Sequence, residues 1–261
     1  MKNLTALLIL SLWVITSHAQ TINVSVGKKI QTVSVITLTT TVNQMGTEMV
    51  IPTTTNVNID FDMKSVTNKK ITITSTLKRV YGDFTVMGNE QKYDSNDSAL
   101  AVNPMVAEVL KDLNKPKDLT IIVGKPSITN DISGAQSGEE VANGLFIPID
   151  AASAKAGLSW SDSITSTDGS KMVNNYTLTK ISKEEAVVKV ITTNAIVTTR
   201  QQMGMEVKVN MQGTTQGTRT YDVSTGILKS SSNTFTSSGN NEIMGNSIPV
   251  TVKGTAFITV K

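Results

Sequence analysis

The chain of 261 residues contains no cysteine and a single histidine, His18. The first absence excludes disulfides, thiolate metal sites and thiol nucleophiles. The second excludes, beyond position 18, any Ser-His-Asp triad, imidazole proton shuttle or histidine ligation of zinc or haem. Aromatic residues are only 4% of the chain and charged residues 17%, so neither an aromatic-rich core nor a charge-driven surface is expected. Lys and Arg number 24 against 21 Asp and Glu. This small excess is spread along the sequence, whereas nucleic-acid binding needs a basic stripe. Long apolar runs are missing as well, except at the N-terminus.

There, Met1-Lys2-Asn3 is a short basic start and Leu4 to Ile15 is apolar. Ser17-His18-Ala19 then sets small residues three and one places before Gln20. This is the pattern of a secretory signal peptide cleaved after Ala19. The apolar run, about 12 residues, is short of the roughly 20 needed to span a bilayer. No later segment reads as a span, and no cysteine is present to carry a lipid anchor. The expectation is a leader over 1–19, which takes His18 with it. Residues 20–261 then form a single domain, periplasmic or secreted, with no transmembrane segment.

What the sequence has in plenty is Thr, Ser, Val, Ile and Asn, the mixture of half-buried strands with polar outer faces. In Lys70 to Arg79, Ile71, Ile73, Ser75 and Leu77 alternate with Thr72, Thr74, Thr76 and Lys78, which predicts a strand buried on one side. The same alternation predicts strands over Gln31 to Val42, Asn56 to Met63, Glu185 to Thr193, Met205 to Met211 and Ile248 to Val260. Turn-prone clusters separate them: Tyr81-Gly82-Asp83, Asp168-Gly169-Ser170, Ser224-Thr225-Gly226 and Ser238-Gly239-Asn240-Asn241. Connections this short make antiparallel meanders.

Helical signals interrupt the β pattern. Asn103 is a cap and Pro104 suits the first helical position. Val106, Val109, Leu110 and Leu113 form a stripe, and Asn114 with Pro116 ends it. A second short helix is predicted through Ser137 to Gly144, with Glu139 and Glu140 near its positive end. There is also an internal echo. Gln44-Met45-Gly46-Thr47-Glu48 matches Gln202-Met203-Gly204-Met205-Glu206, and Met244-Gly245 with Ile248-Pro249 matches Met45-Gly46 with Ile51-Pro52. Either a duplicated meander or common strand composition produces such matches.

Several short motifs carry a resemblance. Leu77-Lys78-Arg79-Val80 is followed by Tyr93-Asp94-Ser95, then by the first helix. Phe146-Ile147-Pro148 leads to Gly157-Leu158-Ser159-Trp160-Ser161-Asp162, and Tyr221-Asp222 with Thr225-Gly226 opens the terminal strands. In these the chain resembles an uncharacterised family of secreted bacterial domains related to the lipoprotein-carrier half-barrel, of the LolA-like and LppX-like type. Leu158 stands where that pattern usually has an acid. The resemblance implies an α+β, mainly antiparallel fold: a curved half-barrel sheet wrapping one or two short helices, whose concave face takes an acyl chain or lipid. It carries over no catalytic residue.

The residues capable of chemistry have structural readings. Asp60 with Asp62, Asp94 with Asp97, Glu139 with Glu140, and Glu184 with Glu185 are carboxylate pairs. Glycoside hydrolysis needs such a pair facing across about 5 to 10 Å, and solvated strand or turn positions are the expectation here. Tyr93 to Ser98 and Asp131 to Gly134 lack the ordered spacing of a calcium loop. Ser153-Ala154-Lys155 lacks the surroundings of an amidase nucleophile. Beyond Met1, ten methionines, among them Met45, Met87, Met203, Met211 and Met244, offer flexible apolar filling for a core or a lipid pocket. Trp160 is expected to close one end of the core. The sequence thus predicts no catalytic, cofactor-binding or metal-ligating residue, and no enzyme. It predicts an exported protein that binds a hydrophobic ligand such as a lipid or acyl chain. The alternative is an envelope or extracellular interaction module that docks a protein partner by strand addition at exposed edges or tips such as Ser230 to Asn246. Intact-mass measurement of protein recovered from its exporting host should give a chain beginning at Gln20; a mass that retains residues 1–19 contradicts the leader assignment.

Overall fold

The computed structural model describes residues 23–44, 46–67, 70–97, 99–100, 110–122, 138–147, 154–165, 169–202 and 205–261. They form eleven strands and a short helix: β1 (Lys29–Gln44), β2 (Thr47–Val66), β3 (Lys70–Val86), β4 (Asn89–Asp94), β5 (Pro116–Ile122), α1 (Gly138–Gly144), β6 (Ser159–Thr165), β7 (Lys171–Ile181), β8 (Glu185–Gln202), β9 (Met205–Asp222), β10 (Leu228–Ile243) and β11 (Asn246–Val260). All strands belong to one antiparallel sheet of order β4-β3-β2-β1-β11-β10-β9-β8-β7-β6, with β5 beside β4 on the flank of β3. The chain winds out from β1 to β4 and β5, crosses over through α1 to β6, and winds back until β11 closes on β1. The sheet is open, with β4, β5 and β6 at its two edges.

Period-two alternation sets the faces, because neighbouring strands keep the register that buries the same parity. One inner row runs Ile258, Ser34, Val57 and Val80 across β11, β1, β2 and β3. Four register shifts among the described residues, at Asn58/Ile59, Met63/Ser65, Leu178/Lys180 and Leu228/Ser230, interrupt the pairing and bend the strands locally.

The core lies at the end of the sheet that carries the start of β1, the end of β11 and the 181–185 and 222–228 connections. We call this end the base. Ile30, Phe61, Ile71 and Ile73 from one flank and Leu178, Val188, Tyr221 and Leu228 from the other join one cluster with Val141, Leu145 and Ile147. Distance shows what that requires. The Cβ position of Gly138 abuts Ser75 Oγ on β3, while that of Gly144 lies 3.5 Å from the Arg219 guanidinium on β9. Tyr221 OH also donates to the Gly144 carbonyl at 3.2 Å. In a flat sheet β3 and β9 are five strand spacings apart, about 24 Å. Seven helical residues reach only about 10 Å, and inward side chains stand roughly perpendicular to the sheet. The base is therefore bent around α1, and the inner face is concave there. Past the helix, Leu228 N–H donates to Leu145 O at 2.8 Å and Ile147 N–H to Gly226 O at 2.9 Å, pinning the segment to the β9–β10 connection.

The predicted strands are all present and longer than predicted, and the second helix falls at Gly138–Gly144. The start of the first helix, 101–109, lies outside the described residues. Its end is seen, with Asn114 in the left-handed region at φ 57° and β5 starting at Pro116. Two expected turns are not turns. Tyr81-Gly82-Asp83 lies inside β3, where Gly82 makes room for Tyr93 OH to reach Thr54 O (3.2 Å) and Thr55 Oγ1 (2.6 Å). Ser238-Gly239-Asn240-Asn241 lies inside β10, where a Cβ on Gly239 would collide with the backbone of Asn210 and Met211. The strand carries these residues through because the next two-residue turn, Met244-Gly245, supplies the reversal. Ser230 to Asn246 is consequently no edge: β10 is paired on both sides, by β9 and β11.

Leu145 is fully buried at the centre of the wedge. Leu145→Ala should cost about 2–5 kcal/mol, and Tyr221→Phe about 1 kcal/mol, for the hydrogen bond to Gly144. Urea unfolding of each variant measures both; a Leu145→Ala loss under about 1 kcal/mol would show that the wedge does not carry the bend.

Candidate functional site

Above the filled base, the concave face changes character in two steps. A polar belt comes first. Ser34 of β1 and Ser231 of β10 are buried, and Asn233 pairs with Gly217 and Ala256 across the inner face. On the β6 flank, Asn174 donates to Asp162 Oδ1 at 2.7 Å and accepts from Thr192 Oγ1 at 2.6 Å. Trp160 stacks on Tyr176 just below, with ring centroids 5.2 Å apart and planes 10° apart. Burial pushes the Tyr176 phenol well above its ordinary pKa, and does the same for Tyr221, so both are neutral hydrogen-bonding groups.

Toward the opposite end, the tip end, aliphatic residues appear on the inner face among polar ones such as Asn241. Val250 pairs with Val42 and Gly239, and Met211 with Ile196 and Gly239; Val209 and Val207 follow on β9. Val207, Val209 and Val250 are buried yet stand outside the base cluster. Among the described residues, five buried side-chain atoms have no hydrogen-bond partner, and four sit on inner-face positions: Ser34 Oγ, Trp160 Nε1, Asn194 Oδ1 and Asn241 Oδ1. Buried polar atoms in native proteins are almost always paired, so these four are the inner-face positions, from Ser34 near the base to Asn241 near the tip, where the described fold leaves a polar group unmatched. A cavity of about 350 Å³ on the opposite, outer face is different in kind. It is an open polar groove lined by Lys189, Gln216, Thr218, Ser232 and Thr234 around Gly217 and Asn233.

The chemically capable residues from the sequence do not converge. Asp60 and Asp62 alternate with the buried Ile59, Phe61 and Met63 and so face outward on β2. Asp94 is bound by Arg79, whose Nε donates to Oδ1 at 3.0 Å and whose second nitrogen takes Oδ2, while the same guanidinium lies 4.3 Å from the Tyr81 ring centroid. Ser95 Oγ accepts from Val80 N–H. The Arg79 and Tyr93-Asp94-Ser95 motifs are thus one clamp holding β4 to β3. Asp97 caps Ala99 N–H. Glu185 pairs with Lys229 at 2.6 Å, with Glu184 exposed beside it. Asp222 accepts from Ser224 Oγ (2.6 Å) and Thr225 N–H (2.9 Å), closing the β9–β10 connection. Asp131 to Gly134 and Ser153 lie outside the described residues, as do the side chains of Glu139 and Glu140. Sequence reasoning missed the polar belt. Its members are ordinary strand residues, and only the pairing of β1 with β11 and of β6 to β9 brings them together.

Comparison with known proteins fits this architecture. A family model, described as a family of unknown function (DUF6263), matches residues 133–228, from just before α1 to the start of β10. The Phe146-Ile147-Pro148, Gly157-to-Asp162 and Tyr221-Asp222 motifs fall inside it, in keeping with the resemblance to an uncharacterised domain family. No curated protein matches the sequence. Among solved structures, the chain is similar to lipovitellin, in work on lipid–protein interactions in that protein. The TM-score is 0.50 at 10% identity, over 91% of this chain and 25% of the other. The chain therefore spans about a quarter of the lipovitellin chain, and the likeness is one of fold. An outer membrane channel from Pseudomonas putida F1 aligns at a TM-score of 0.29 and 8% identity, over 94% of this chain and 98% of the channel.

Three of these carboxylates have depressed pKa values: Asp94 through Arg79, Asp222 through Ser224, and Glu185 through Lys229. A carboxyl whose folded pKa lies below its unfolded value stabilises the fold above the unfolded value, and that contribution is lost as pH falls through the folded one. Thermal stability should therefore hold level on the acid side of neutrality and fall below about pH 4. Asp222→Asn should flatten part of that fall; an unchanged acid limb would contradict its assignment.

Proposed function

We propose that this protein is an exported, non-enzymatic binder of an amphiphilic ligand, held on the concave face of the sheet. The ligand's apolar chain lies along Val209, Met211, Val250 and Val252, and its polar end meets the belt at Ser34, Asn194 and Trp160. The observation that carries the reading is the mixed chemistry of one face above the filled base: Val207, Val209 and Val250 are buried outside the core, and unpartnered buried polar atoms of Asn194 and Asn241 stand among them. Aliphatic and polar positions side by side suit a molecule that is apolar along its length and polar at one end. Burial of the chain would supply the affinity at about 25 cal/mol per Å², and the belt would set its orientation, as polar groups do in otherwise apolar sites. The fold-level likeness to lipovitellin, studied for its lipid–protein interactions, supports the same class of ligand. The placement of the carboxylates supports a non-enzymatic role, since Asp94, Asp222 and Glu185 are each engaged in holding connections and edges.

Native mass spectrometry of protein purified from its own host, followed by organic extraction, should reveal a co-purifying apolar molecule. The protein should also take up a fluorescent fatty-acyl probe. Met211→Gln with Val252→Thr, both on half-buried inner-face positions, should weaken that uptake about tenfold, corresponding to roughly 1.4 kcal/mol of lost apolar contact. An empty protein that ignores the probe rules out the reading and favours a protein partner instead.

A further inference from the structure

At one edge of the sheet, β4 is paired through β3 alone. Its residues Asn89, Glu90, Gln91 and Lys92 are all exposed. Ser95 fixes the direction in which this edge presents its backbone: its N–H donates to Val80 O at 2.8 Å, and its Oγ accepts from Val80 N–H at 3.0 Å. Position 95 therefore faces β3. By alternation so do Tyr93, Gln91 and Asn89, while the N–H and C=O groups of Glu90 and Lys92 point away from the sheet. Among the described residues nothing bonds those backbone groups. Sheet edges are normally blunted by proline, a bulge or a covering element. β5, which lies in line with β4, starts with Pro116 and so lacks one N–H. β4 has no proline, and its pairing with β3 runs without a register shift.

Such an edge pairs antiparallel with itself about a two-fold axis, and register decides whether the two copies agree. With the axis at Gln91, Glu90 lies opposite Lys92 of the second copy, and Lys92 opposite Glu90 of the second copy. Both are positions whose backbone points outward, so each pair exchanges two N–H···O bonds and every free group of Glu90 and Lys92 is satisfied. Gln91 meets its own copy at the close, non-hydrogen-bonded position, where two carboxamides bond each other. The side chains agree as well. Glu90 and Lys92 of one strand already lie 3.3 Å apart, so the charges of the two copies form an alternating square. Each carboxylate then has one lysine beside it along its strand and another across from it, and opposite charges on facing strands attract. Other registers fail. An axis at Glu90 or at Lys92 sets that residue against itself. An axis at Tyr93 sets Lys92 against Asp94, whose carbonyl accepts from Asp97 N–H and whose carboxylate is held by Arg79.

From this we propose that two copies of the chain join edge to edge through β4, in the register centred on Gln91, to make one continuous sheet. The register that satisfies the outward backbone groups is the same one that pairs the charges, and the edge itself carries both halves of that match. This is why the occupant is a second copy and not an unrelated strand. The two-fold axis stands normal to the sheet, so both concave faces open to the same side. The contact is isologous and closes at two copies. Pairing of β4 with β6 would be heterologous and open-ended, and β6 has Asp162 but no lysine or arginine to answer Glu90. About five paired residues a side, against roughly 20–30 in a standard interface, make this a weak dimer that forms at high protein concentration. The proposal stands independently of the ligand reading.

The test is sedimentation velocity of the purified protein from micromolar to millimolar concentration, at low and high salt. Wild-type protein should pass from monomer to dimer, and added salt should weaken the association. Glu90→Lys and Lys92→Glu change exposed side chains and should leave the melting temperature unchanged. Each should weaken self-association about tenfold, because like charges then face each other. The double exchange Glu90→Lys with Lys92→Glu should restore it. Mixing the two single variants in equal amounts should give a mixed dimer, since every facing pair is then opposite in charge. Lys92→Pro removes an N–H that points away from β3, so it should abolish the dimer while the β3–β4 ladder persists. A monomer at every concentration overturns the proposal. So does a dimer that the single charge variants leave unchanged, a mixture of them that stays monomeric, or a dimer whose cross-links run through β6.

Discussion

The bend at the base of the sheet depends on one short wedge. Gly138 to Ile147 enters against β2 and β3 and leaves against β9 and the β9–β10 connection, and it is far too short to span those strands if they lay flat. Burial of Leu145, Phe146 and Ile147 between the two flanks therefore draws the flanks together. A sheet with one apolar face has to cover that face, and here a helix of two turns with a three-residue tail, Leu145 to Ile147, covers only the lower part of it. The remainder of the inner face is left to its own side chains, which is why its chemistry is informative.

That division explains how few strong contacts the protein needs. Long antiparallel strands satisfy their backbone groups through the ladder itself. The ion pairs and carboxylate caps named above fall where ladders begin, end or change direction: the Arg79–Asp94 clamp on β4, the Glu185–Lys229 pair beside the 222–228 connection, and Asp222 with Ser224 and Thr225 in that connection. A chain without cysteine can dispense with cross-links because an eleven-stranded sheet with one continuous core already ties its two halves together, β1 to β11. The concave face above the core then carries mixed residues, and its buried unpaired polar atoms sit beside aliphatic positions.

Much of the strand pattern was legible in advance. Lys70 to Arg79 alternates so regularly that Ile71, Ile73, Ser75 and Leu77 could be assigned to one face, and all four lie inward. The short helix near Gly144 and the stop at Asn114 were also readable from local chemistry. The errors share a cause. Gly82 and Gly239 look like turn residues because glycine tolerates reversal, yet each is needed where a neighbouring group comes too close for a Cβ. The true reversals at Met87 and Met244 were hidden because methionine is a poor turn residue by propensity.

By itself, the sequence determined strand periodicity, the exclusion of thiol and imidazole chemistry from the body of the chain, and the helix-breaking points, since each is a property of one residue type or of neighbours along the chain. Only tertiary structure decided that β10 is interior, that β1 closes on β11, and that Asp94, Asp222 and Glu185 serve as clamps. Strand pairing joins residues more than a hundred positions apart, and its register follows from which faces are buried together, a choice that no local stretch of sequence encodes.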